Sequence, residues 1–317
     1  MRWLRERYAA LGNVGQGVLI YLLTLVIAGA LMGILLGSSL GHSALTYVGV
    51  PWLVSLMVVL LLQKGRFDSI WLSFFIFGFY LVTILLLVSI LTSEGFICVL
   101  FFIPIYLMIG FVMFLVYALV QIVGAVHRRW LKRFQTVVFP AVVLVLSMEG
   151  THEALTFDRW NHVYAETETH LTEAELLRNL NQPIDLNKDR GWLLGIFPMP
   201  YEIETSDLSP GAVHVVRMRY HRWFVTNTHE GEVHLLIKTV SPDEVTTEVL
   251  FDSSYVSTYL SLTGTSIRFD EIEGGRLRVS LAMTYRRNLD PAWYFQPIQR
   301  FAVKQFADFL LREVVVR

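Results

Sequence analysis

Four stretches of this chain, Gly17–Leu40, Ala44–Leu62, Ile70–Thr92 and Phe96–Val126, contain no Asp, Glu, Lys, Arg or His. Each supplies the roughly 20 residues that cross ~30 Å of hydrocarbon at about 1.5 Å per residue. A chain with such runs is expected to fold as membrane-spanning helices over its first half. A fifth run, Phe134–Met148, is shorter and contains Pro140. It reaches spanning length if Trp130 and Leu131 join it while Lys132 and Arg133 snorkel to the headgroups.

Composition divides the chain in two. Of its 317 residues, 54% are hydrophobic and 17% charged, with a mean hydropathy of +0.50. Charges are confined to short clusters up to Met148 and become as dense as in a soluble protein from Glu149 onward. Two environments are implied, with residues 1–150 as a transmembrane domain of about five helices and 151–317 as a soluble domain. The formal net charge of −1 offers no basic face for nucleic acid. Cys98 stands alone inside an apolar run, so neither a disulfide framework nor a cysteine metal site is expected.

The basic residues set an orientation. Arg2, Arg5 and Arg7 precede the first span, Lys64 and Arg66 follow the second, and Arg128, Arg129, Lys132 and Arg133 follow the fourth. Gly41–Ser43 and Ser93–Gly95 carry no Lys or Arg. The positive-inside rule then places the N-terminus in the cytoplasm. Five spans put the soluble half outside the cytoplasm, periplasmic in a Gram-negative cell; four spans leave it inside. A retained first helix is expected rather than a cleaved signal peptide, because further spans follow a run longer than a usual signal core.

With no ionisable residue inside the spans, an ion pathway or proton relay is not expected, and the membrane half reads as an anchor. Gly29, Gly33 and Gly37 form a small-residue stripe suited to close helix packing, within the chain or in a homo-oligomer.

The soluble half changes period. Val163, Ala165 and Thr167 alternate as in a strand, and Thr172-Glu-Ala-Glu175 has the form of a capping box opening a helix. After a segment limited by Pro183, Gly191 and Pro198, strands are expected at Tyr201–Thr205, Val213–Val225, Glu232–Val240, Val245–Asp252, Ser266–Ile272 and Arg276–Arg287. On the second of these Val216, Met218, Tyr220 and Phe224 share one face, and Arg217, Arg219 and His221 the other. Ser253–Thr263 reads as irregular. A final helix is expected from an Asp290 cap and Pro291 to about Val315, with Phe295, Ile298, Ala302, Phe306, Phe309 and Leu310 on its apolar stripe.

This order of elements over about Asn161–Val315 resembles the helix-grip fold of the START-like or SRPBCC superfamily. The residues that carry the likeness are the Thr172–Glu175 helix opening, the alternating Val213–Val225 and Arg276–Arg287, and Asp290-Pro-Ala-Trp-Tyr-Phe295. That superfamily includes polyketide cyclases, lipid-transfer domains and plant pathogenesis-related proteins. The resemblance implies an α+β domain whose antiparallel sheet curls around a long C-terminal helix, leaving an apolar cavity for a hydrophobic small molecule or lipid.

By alternation, Met218, Tyr220, Phe251, Met283, Tyr285 and Phe295 are the candidate ligand-binding residues, the rival role being an ordinary core. His214, His221 and His234 lack metal-site spacing and read as surface residues. Glu202 with Glu204, and Glu166 with Glu168, share strand faces and read as solvated edges before acid–base pairs. Arg286 and Arg287 could meet an anionic headgroup or the membrane surface, the rival role being ordinary arginines of a sheet surface. No catalytic motif, cofactor or metal site is legible. The expected function is a membrane-anchored binding protein for a hydrophobic molecule, its partners being that ligand and membrane lipids. The alternatives are a cyclase- or hydratase-type enzyme using the same cavity, or a structural protein with a filled core.

Overall fold

The computed structural model describes residues 11–65, 69–91, 96–122, 138–182, 184–185, 194–195, 197–205, 207–223 and 226–316. Arg2, Arg5, Arg7, Arg66, Arg128, Arg129, Trp130, Leu131, Lys132 and Arg133 lie outside the described residues, as do Pro183, Gly191 and Phe224. The chain forms two compact units, Met1–Phe157 and Asp158–Arg317.

The first unit consists of helices α1 (Gly12–Leu36), α2 (Val50–Gly65, entered through a wide turn at Leu45–Gly49), α3 (Ile70–Leu91), α4 (Phe96–Ile122) and α5 (Phe139–Leu146). Among the described residues, four helices are long and apolar enough to cross a membrane: Gly12–Leu36, Leu45–Gln63, Ile70–Leu91 and Val99–Ile122. The expected fifth span lies partly outside the described residues. Its described helix, α5, has eight residues, about 12 Å at the helical rise. The first span ends at Leu36 rather than Leu40, where Ser38 turns back to donate to the Leu35 carbonyl at 2.8 Å.

These helices are apolar on all sides. Val14, Ile34, Phe75, Phe79 and Ile90 are exposed, while Val58, Leu81, Ile84 and Ile105 are buried. A helix with no polar face suits hydrocarbon rather than water. Buried hydroxyls are satisfied within their own helices: Thr24 donates to Ile20 O, Ser55 to Pro51 O and Ser89 to Leu85 O, at 2.7–2.8 Å. Between helices, Tyr106 Oη donates to Leu81 O at 3.1 Å. Gly110 lets α4 approach α3, since a Cβ there would stand 2.3 Å from Leu81 Cδ1. Of the glycine stripe, Gly29 faces Leu91, and Gly33 borders open space.

The second unit is built from β1 (Trp160–Thr169), α6 (Glu173–Leu180), β2 (Ile184–Asp185), β3 (Met199–Glu204), β4 (Val213–Trp223), β5 (Thr226–Val240), β6 (Glu244–Asp252), β7 (Leu260–Ile272), β8 (Arg276–Arg287) and α7 (Ala292–Leu310). The last helix continues through a wide turn at Leu311–Val315. Among the described residues, eight strands form one sheet in the order β1-β8-β7-β6-β5-β4-β3-β2, with every pair antiparallel. A meander therefore runs from β2 to β8, and the first strand closes beside the last.

One sheet face is apolar because the strands alternate. Val163 and Ala165 on β1, and Leu277, Val279, Leu281 and Met283 on β8, point to a core shared with Val303, Ala307 and Phe309 of α7. The capping box of α6 is formed: Thr172 Oγ1 accepts from Glu175 N, and Glu175 Oε2 accepts from Thr172 N at 2.8 Å. Leu176 is fully buried beneath it. A sheet wrapped over a long terminal helix, with a short helix after the first strand, is the helix-grip fold.

Three local expectations are corrected. β5 starts at Thr226 rather than Glu232, because it returns directly against β4, with Thr226 opposite Trp223. β7 starts at Leu260 instead of Ser266; a register shift between Leu262 and Gly264 conceals its alternation. Asp290 does not cap the last helix, whose N-cap is Pro291 without a side-chain bond. Its carboxylate is buried and accepts from both Arg159 and Arg287.

An apolar cavity under the terminal helix

Between α7 and the inner face of the sheet lies a cavity of about 170 Å³. Val216 and Met218 of β4, Val233 and Leu235 of β5, Leu260 and Leu262 of β7 and Met283 of β8 form its sheet wall. Ala302, Val303, Phe306 and Leu310 form the helix wall, and Leu194, Phe197, Pro198 and Pro200 close another side. Polar lining comes from Asp252, Ser254 and Thr265.

A bulge places Asp252 in the lining. Val249 opposes Leu235 and Phe251 opposes His234, so Leu250 is the extra residue between the two pairings. That shift turns Phe251 away from the cavity, to lie exposed beside the His234 ring, and brings Asp252 into the lining. The chain then crosses β5 at Gly231, where a Cβ would stand 2.4 Å from Ser253 O. Only a residue without a side chain allows that crossing, and it delivers Ser254 to the cavity. Asp252 Oδ1 accepts from Ser254 N at 2.8 Å, fixing the turn.

The candidate residues separate. Met218 and Met283 line the cavity. Tyr220 is buried and stacks on Tyr255, with centroids 4.7 Å apart. Tyr285 is fully buried two residues beyond Met283 on the same strand face, and burial pushes its hydroxyl up to about 12, so it stays protonated. Phe295 is buried at the start of α7 against Tyr294. Phe251 is on the other face of the sheet, for the reason given above.

The other candidates have structural partners. His214 is buried rather than on the surface, its Nε2 2.9 Å from Asp207 O. His221 is exposed beside Thr228, and His234 lies 3.2 Å from Glu232. Glu202 and Glu204 both hold Arg217, at 3.3 and 3.0 Å, instead of each other. Glu168 pairs with Arg276 at 2.6 Å. Arg287 cannot meet headgroups, being fully buried against Asp290. Among the described residues, no three His, Cys, Asp or Glu side chains gather as a metal site.

Sequence reasoning missed Asp252, Ser254, Leu260 and Leu262. All four sit close to register shifts that break the period-2 pattern.

No protein-family model matches the chain, and no curated protein matches it. Solved structures resemble about half of it. Among them are the ZhuI aromatase/cyclase from Streptomyces sp. R1128, at 12% identity and TM-score 0.32 over 49% of this chain and 92% of that one. Another is truncated norcoclaurine synthase from Thalictrum flavum, at 11% identity and TM-score 0.30, covering 50% and 96%. A third is major latex-like protein 151 from Panax ginseng, at 9% identity and TM-score 0.29, covering 49% and 98%.

Proposed function

We propose that the second unit is a binding module for a small hydrophobic molecule, held at a membrane by the first. The observation that supports this most is the cavity itself, whose walls are aliphatic and aromatic except for Asp252, Ser254 and Thr265. A lining of this kind favours apolar guests with a few oriented polar groups. The volume of about 170 Å³ compares with the ~150 Å³ that accepts one benzene-sized guest. It therefore suits a single ring or a short alkyl segment, and a whole diacyl lipid requires the helix and sheet to part.

The apolar outer surfaces of α1–α4 support membrane anchoring, which shortens the path of a lipophilic ligand through water. The soluble unit is proposed to lie outside the cytoplasm, an arrangement that requires the fifth crossing. Labelling of an Asp243→Cys variant by an impermeant maleimide in intact cells tests this; reaction only after lysis contradicts it.

To test the function, the full chain is purified, extracted with organic solvent and analysed by mass spectrometry. A co-purifying apolar compound is expected from the natural protein and a reduced amount from Met218→Trp, which fills the cavity. Equal signals from both contradict the proposal.

Asp252 in the lining supports a second reading, an enzyme of cyclase or hydratase type. On that reading Asp252→Asn abolishes turnover of the bound compound while leaving its binding intact.

A further inference from the structure

The three polar residues in the cavity wall, Asp252, Ser254 and Thr265, differ in what they leave free. Thr265 Oγ1 is already bonded to Thr247 Oγ1 at 2.8 Å. Ser254 is 3% exposed, and its Oγ is buried without a hydrogen-bond partner among the described residues. Asp252 stands opposite Val233 across the β5–β6 ladder, so the two side chains share the inner face of the sheet, and both line the cavity. One of its carboxylate oxygens, Oδ1, accepts from Ser254 N at 2.8 Å. Among the described residues, no lysine, arginine or histidine lines the cavity or pairs with that carboxylate. The wall therefore holds one negative charge, with no positive charge beside it, next to a buried hydroxyl oxygen that lacks a bond. A neutral guest filling this space takes water from the half-buried Asp252 and returns no counter-charge, which is unfavourable.

We propose that the ligand of this cavity is a small apolar amine, bound as its ammonium ion. Its N–H groups donate to the Asp252 carboxylate and to Ser254 Oγ, while its apolar body lies against Met218, Met283 and Phe306. An ammonium group has only donors, which matches a carboxylate and a hydroxyl oxygen that can each accept. A carboxylate guest sets a second negative charge beside the first, and a plain hydrocarbon leaves both groups unmet. This assignment rests on the ligand-binding function proposed above and specifies its chemical class.

The test is calorimetric titration of the full chain in phosphatidylcholine nanodiscs, with empty nanodiscs as the blank. The probes are benzylamine, benzyl alcohol, ethylbenzene and phenylacetate, which share a benzyl group and differ in what it carries. Benzylamine is expected to bind about tenfold more tightly than ethylbenzene, the worth of a hydrogen bond to a charged group, and to be displaced by excess ethylbenzene. Benzyl alcohol is expected to fall between them, with phenylacetate weakest. This ranking in the natural protein tests the assignment without any variant. Asp252→Asn keeps an acceptor for Ser254 N and removes the charge. With native circular dichroism, it is expected to abolish the advantage of the amine while ethylbenzene still binds. Ser254→Ala is expected to reduce that advantage about threefold. An amine that binds no better than the alcohol or ethylbenzene overturns the amine assignment and leaves the apolar-cavity function standing. So does an advantage unchanged in Asp252→Asn, or tightest binding by phenylacetate. If no probe binds, both proposals fall.

Discussion

Arg287 and Asp290 form an ion pair in which both side chains are fully buried, at the junction where β8 hands over to α7. Arg159, on the segment leading into β1, bonds to the second oxygen of the same carboxylate. One buried group thereby ties the first strand, the last strand and the entrance to the terminal helix. Two of these elements also reach the cavity, β8 through Met283 and the terminal helix through Val303.

Removing that carboxylate leaves guanidinium charge in an apolar setting. Asp290→Asn is predicted to destabilise the second unit by about 3–5 kcal/mol, the usual cost of breaking a buried pair. The surface pair Arg276–Glu168 is a useful contrast, with both side chains more than two-fifths exposed. Arg276→Gln is predicted to cost no more than about 1 kcal/mol. Denaturant unfolding followed by tryptophan fluorescence measures both; equal effects would contradict this account.

The crossing at Gly231 depends on the absence of a side chain. Gly231→Ala is predicted to push the Ser253–Ser254 backbone off β5, costing about 1–3 kcal/mol and displacing Ser254 from the cavity wall. The same unfolding experiment reads the first effect, and weaker binding of propylbenzene reads the second. An alanine variant with native stability and binding would show that the strand accommodates the methyl group.

A pH effect follows from Glu244. Bonds from Arg268 Nε at 2.9 Å and Ser266 Oγ at 2.7 Å hold its carboxyl below the ordinary value of 4.5. A group depressed in the folded state contributes stability above its unfolded pKa and loses it as pH falls through the folded one. Glu244→Gln is therefore predicted to flatten the loss of stability in acid below about pH 4.5, leaving its slope near neutrality unchanged. An identical acid limb in both proteins would rule out the contribution.

The sequence showed the fold far better than the site. Runs without charge identified the long helices, and alternation located β1, β4 and β8, because a half-buried strand imposes a strict period of two. Thr172 and Glu175 announced the start of α6 through a local bond that needs no tertiary information. The site residues were hidden where that locality fails. A bulge at Leu250 put Phe251 outside and Asp252 inside, and one-residue slips of this kind leave no mark in a hydropathy pattern. Asp290 fits a helix cap by sequence, but two arginines, one of them 131 positions away in the chain, claim its oxygens. Met218 and Met283 were legible because both lie on uninterrupted stretches of their strands.

Those two methionines give the most direct test that a ligand enters between α7 and the sheet. The full chain, labelled with 13C at the methionine methyl groups, is titrated with propylbenzene in nanodiscs, and Met218→Leu and Met283→Leu assign the resonances. The Met218 and Met283 signals are predicted to shift together and to saturate at the same ligand concentration. Saturation that leaves both unmoved, with shifts confined to methionines of the first unit such as Met32 and Met113, would contradict it.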